Sequence, residues 1–108
     1  MERATWIVQH YEAVAQFAGK MLEAARHGRW DELVALEQQR AVVLSELMAD
    51  AAQGAIPDEV AEQVARLIGA ILQADAEITP LAQAWQDELK GLLGSMGTER
   101  KISQAYGT

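Results

Sequence analysis

From Val60 to Trp85 the apolar residues Val60, Val64, Leu67, Ile71, Ala74, Ile78, Leu81 and Trp85 recur by alternating steps of four and three. That spacing keeps all of them on one side of an α-helix and on no single face of a strand. Held for more than three heptads, it demands a long helix with a continuous apolar seam and a neighbour to cover it. After Trp85 the seam shifts by one residue to Leu89, Leu92 and Met96. Pro57, Asp58, Glu59 and Glu62 suit the start of such a helix. Proline fits a first turn, and carboxylates complement the positive end of the helix dipole. The predicted helix spans 58–96. Glycines at 91, 94 and 97 weaken its far end, each by about 1 kcal/mol relative to alanine.

Two further helical patterns precede it. In the first, about 5–27, Ile7, Tyr11, Val14, Ala18, Met21 and Ala25 step by four and three, and Trp6, His10, Phe17 and Leu22 widen the stripe. It ends at Arg26-His27-Gly28, because glycine tolerates the left-handed residue that closes many helices. The second pattern, about 31–52, opens on Asp31 and Glu32 and carries Trp30, Leu33, Leu36, Val43, Leu44, Leu47 and Met48 as its predicted apolar face. Arg40 interrupts that face. The connections near 28–30 and 53–57 are short, so successive helices are antiparallel neighbours. The predicted fold is all-α: an antiparallel three-helix bundle over 1–97 with a long third helix, followed by a short C-terminal helical tail over 98–108.

Counting residues outward from the two turns places Phe17, Arg40 and Gly69 at one level, and His27, Trp30 and Ile78 at the far end. The third helix then leaves the hairpin near Thr79-Pro80. About 16 residues overhang, or about 24 Å at 1.5 Å per residue. The stripe Ile78, Leu81, Trp85, Leu89, Leu92, Leu93 and Met96 lies there, and a large apolar stripe in water normally marks a binding surface. Three occupants fit it: the tail through Ile102 and Tyr106, a second copy in a homodimer, or an amphipathic helix of another protein. Pro80 removes a backbone hydrogen bond and favours a kink where the overhang begins.

The charge pattern narrows the partners. The chain of 108 residues has a formal net charge of −7. Residues 31–56 contribute −4 and residues 57–97 contribute −5, while each end contributes +1. Such a chain has no electrostatic footprint for nucleic acid. It has no stretch apolar enough to insert in a membrane, and no cysteine. Its first residues lack the form of a signal peptide. The expected location is the cytosol.

Chemistry is absent from the sequence pattern. His10 and His27 lie 17 residues apart on one predicted helix, about 25 Å along its axis, so they share no metal. Ser45, Ser95 and Ser103 have no His/Asp pairing and no nucleophile-elbow turn. Gly91, Gly94 and Gly97 follow no strand and precede no Gly-Lys-Ser/Thr, so they make no phosphate loop. The expectation is a binding protein without catalytic residues, metal or cofactor. Arg40 and Asp75 both sit on or beside apolar stripes of neighbouring helices and are read as a structural ion pair.

The run Met21–Arg40 resembles the flagellar export chaperone FliT family: a first helix closing at Gly28, then Trp30-Asp31, Leu36-Glu37 and Arg40 on the second. The run Ile71–Ile78, with Asp75 and Ile78 three apart, is similar to the family's third helix, and Ala105-Tyr106 to its closing element. The resemblance implies a small helical bundle of the bacterial cytosol. Such a protein binds the C-terminal region of the filament cap protein FliD and delivers it to the type III export apparatus. Some members of the family also bind the export ATPase complex and the flagellar master transcription regulator. The alternative is a structural or regulatory helical homo-oligomer that pairs through the third-helix stripe.

Overall fold

The computed structural model describes residues 2–95, with side chains through Leu93. Three helices account for it: α1 (Arg3–Arg26), α2 (Trp30–Ala51) and α3 (Asp58–Ser95). No strand occurs among the described residues. Met96, Ile102, Tyr106 and the predicted tail lie outside them.

The α1–α2 turn is set by Gly28. Its φ is +69°, a left-handed conformation in which a Cβ would crowd the backbone. The Arg29 amide donates to the Ala24 carbonyl at 2.8 Å, and the Gly28 amide to Ala25 at 3.3 Å. This pair of bonds is a Schellman closure, and it satisfies two carbonyls that the helix end leaves open. Before α3, residues 52–57 form the link, with Gly54 at φ +152°. Asp58 and Glu59 occupy the first turn of α3, where the dipole favours them.

The chain divides into two compact units between Ile78 and Thr79. Within the first, the helices form the antiparallel bundle. Arg3 at the start of α1 meets Asp50 at the end of α2, and His10 meets Glu46. Arg26 meets Glu77, so α3 returns parallel to α1. The core consists of Ile7, Val14 and Val64, fully buried, with Ala4, Ala18, Met21, Ala24, Ala25, Leu33, Leu36, Leu47 and Ile78 around them. Among the described residues no polar or charged side chain is buried. α1 packs along α2, and the alanines on the buried face of α1 permit a close approach, because interaxial distance follows side-chain size.

Two expectations change. Met48 is 74% exposed and Leu44 is also exposed, so only Leu33, Leu36 and Leu47 of the predicted α2 face are buried. Leu44 and Met48 lie at the edge of the stripe that Leu33, Leu36 and Leu47 bury, so the apolar pattern is wider than the covered face. Ile78 is buried, which makes it core and removes it from any binding surface. The expected ion pair of Arg40 with Asp75 forms, although the residue count places Arg40 level with Gly69. Side chains lean toward the N-terminus of their own helix. In the antiparallel α2–α3 pair, Arg40 and Asp75 therefore lean toward each other, and the reach of the arginine spans the six-residue offset.

Candidate protein-binding surface

The second unit begins at Thr79, and Pro80 lies inside α3. Proline has no amide hydrogen, so the carbonyl four residues earlier, at Ala76, loses its helical donor. From here to Leu93 the sequence places Leu81, Trp85, Leu89, Leu92 and Leu93 along the helix at helical spacing. Leu81, Trp85 and Leu93 are half-buried, whereas Leu89 is 43% and Leu92 53% exposed. The exposed neighbours Asp87, Glu88 and Lys90 give this segment a charged side. An apolar row beside a charged row is the pattern of a helix that docks through one face.

The first unit is tied together by arginines. The Arg40 Nη1 donates to Asp75 Oδ1 at 2.7 Å, and this part-buried ion pair joins α2 to α3. Arg26 and Glu77 make a more exposed bridge at 3.1 Å between α1 and α3. Arg3 makes the densest contact, one that sequence reasoning missed. Its Nε and Nη2 donate to the two carboxylate oxygens of Asp50 at 3.2 and 3.1 Å. Nη1 donates to the Ala55 carbonyl at 2.8 Å and Nη2 to the Gly54 carbonyl at 2.9 Å. The guanidinium thus holds the link before α3 by its backbone, and its planar fork matches the carboxylate. The residue count outward from the turns puts Arg3 near that link, and this was the available signal.

His10 stacks on Trp6 with ring centroids 3.7 Å apart. Its Nδ1 lies 2.9 Å from the Trp6 carbonyl oxygen and its Nε2 lies 2.8 Å from Glu46 Oε2. His27 is bonded within its own helix to Glu23 at 2.7 Å. The two imidazoles therefore serve separate local contacts. Among the described residues no cluster of three or more His, Cys, Asp or Glu side chains is placed to hold a metal ion. No helix among them is long and apolar enough to cross a membrane.

The fold defines the class: a small all-α protein built on an antiparallel three-helix bundle. The chain belongs to the FliT family, since the family profile described as Flagellar protein FliT matches residues 8–108. It is similar to the Flagellar protein FliT of Serratia proteamaculans (strain 568), with 25% identity across 99% of this chain and 88% of the relative. The Flagellar protein FliT of Enterobacter sp. (strain 638) is 27% identical over the same shares. That of Citrobacter koseri is 31% identical over 81% of this chain and 72% of its own length. No solved structure matches the chain.

Proposed function

We propose that this protein is a cytosolic chaperone of flagellar export that binds the C-terminal region of the filament cap protein FliD and holds it for the type III apparatus. Membership of the FliT family over residues 8–108 carries this reading. The exposed leucines of α3 support it, because a chaperone of this kind needs a surface that accepts an amphipathic client segment and needs no reacting group. Leu81, Trp85, Leu89, Leu92 and Leu93 are the proposed contacts, with Met96 next in the same stripe. The export ATPase complex is the proposed recipient of the loaded chaperone.

The double variant Trp85→Ala, Leu89→Ala tests the placement, with capture of a FliD C-terminal peptide as the readout. The expected result is a folded protein whose affinity falls by more than about tenfold, since each buried apolar anchor at an interface contributes on the order of 1–3 kcal/mol. Full affinity in a folded double variant refutes the placement. Light scattering distinguishes the competing homo-oligomer. A dimer that the peptide dissociates supports client binding, whereas a dimer indifferent to the peptide supports pairing of the chain with itself.

A further inference from the structure

A second apolar surface lies on α2, within the first unit. Val34, Val42 and Met48 are all well exposed, at 48%, 61% and 74%. On the same outer side, Ala41, Ser45 and Ala49 are also exposed and line a shallow depression together with Val42 and Glu46. Their spacing of four places these small side chains in one row along the helix, so a partner backbone can come close while Val42 and Met48 flank it. From Val34 to Met48 the face runs about 21 Å along the axis. That length matches about four turns of a second helix.

Charge decides what occupies this face. α2 carries Asp31, Glu32, Glu37, Glu46 and Asp50 against Arg40 alone, a net −4. Arg40 is engaged by Asp75, while Arg3 pairs with Asp50 and Arg29 with Glu32, so Asp31, Glu37 and Glu46 are the carboxylates of α2 that no arginine or lysine neutralises among the described residues. Asp31 and Glu37, three residues to either side of Val34, have no cationic partner among the described residues. Glu46, at the wall of the depression, gives one carboxylate oxygen to His10 and remains half exposed. An apolar row edged by carboxylates complements a helix with an apolar face and lysine or arginine beside it. A second copy of this chain would set two net-negative α2 faces together, and an anionic lipid surface has the same sign.

We propose that the outer face of α2 is a docking surface for a basic amphipathic helix of a partner protein. The probe is a fluorescent amphipathic helical peptide of leucine and lysine, about 18 residues long, titrated with the full chain. A matching peptide with glutamate in place of lysine is the control. The expected result is binding of the lysine peptide that weakens with added salt, and no binding of the glutamate peptide. Val42→Asp and Met48→Asp should each weaken it by more than about tenfold, an interface cost of about 1.4 kcal/mol. Glu37→Lys should weaken it several-fold at low salt and little at high salt. Both apolar positions are exposed, so circular dichroism should show unchanged helicity. The Trp85→Ala, Leu89→Ala variant should bind the lysine peptide as the unaltered protein does. Capture of FliD peptide should in turn be indifferent to Met48→Asp, which separates this surface from the client surface. Unchanged binding by Val42→Asp and Met48→Asp overturns the proposal, as does loss of binding in the α3 variant. A self-association of the free chain that Met48→Asp abolishes also overturns it, in favour of a second copy as the occupant.

Discussion

Single residues fix the two ends of the hairpin, and their contributions differ in kind. Gly28 acts through backbone conformation: at φ +69° any side chain is strained, although space for a Cβ exists, with Trp30 Nε1 at 3.9 Å. Gly28→Ala should therefore cost about 1 kcal/mol through strain rather than through a clash, measurable as a lower urea midpoint with an unchanged slope. Arg3 acts through hydrogen bonds, with Asp50 and with the carbonyls of Gly54 and Ala55. Its side chain keeps about a third of its exposure, so solvent screens part of the interaction. Arg3→Ala should lower stability by about 1–2 kcal/mol and speed amide exchange selectively in residues 52–57. Uniform faster exchange would place its effect elsewhere. Gly28 was legible because a glycine after a basic last turn has a conformational reason to be there. The Arg3 clamp was not, because its partners lie 47 to 52 residues away and no local pattern announces them.

At the scale of the helices, periodicity located the apolar faces better than it located their burial. The four-three seam of α3 is buried at Val64 and Ile78 and half-buried at Val60, Leu67, Ile71 and Ala74, and the stripe of α1 buries Ile7, Val14, Ala18, Met21 and Ala25. α2 presents a comparable stripe, yet Leu44 and Met48 on it are exposed, and periodicity reports the direction of an apolar face without reporting whether anything covers it. Ile78 and Leu89 illustrate the same gap on α3. They share the apolar spacing, yet one is buried and the other is 43% exposed, and only the level at which the bundle ends separates them. Pro80 marks that level from inside the helix. Replacing it restores a donor for the Ala76 carbonyl and removes the ring that crowds the preceding turn. Pro80→Ala should slow amide exchange through residues 77–84 and raise helicity. If exchange there is unchanged, proline sets no local weakness in α3. Arg40→Ala belongs to this scale too, because it removes the arginine that ties α2 to α3 through Asp75; a loss of about 1–2 kcal/mol is expected, read as a lower melting temperature.

For the whole molecule, stability and the proposed client contacts reside in different units. Every buried residue found among the described residues lies at or before Ile78, and so do the seven ion pairs. The proposed client contacts Leu81, Trp85, Leu89, Leu92 and Leu93 lie after the boundary at Thr79. A bundle draws its cooperativity from shared core packing, so a chain ending at Ile78 should keep a cooperative thermal transition. Its midpoint should fall by only a few degrees, as a loss of about 1 kcal/mol shifts a domain of this size by roughly 4–8 °C. The same fragment should lose capture of the FliD C-terminal peptide altogether, while retaining the lysine-peptide binding assigned to α2. Three measurements on one fragment thus separate three ideas. A broad, non-cooperative melt shows that residues after Ile78 complete the core. Retained FliD capture moves the client site into the bundle. Loss of lysine-peptide binding in a folded fragment removes the docking role from α2. Only a folded fragment that binds the basic helix and not the cap-protein segment is compatible with a stable bundle carrying its client contacts on the far part of its longest helix.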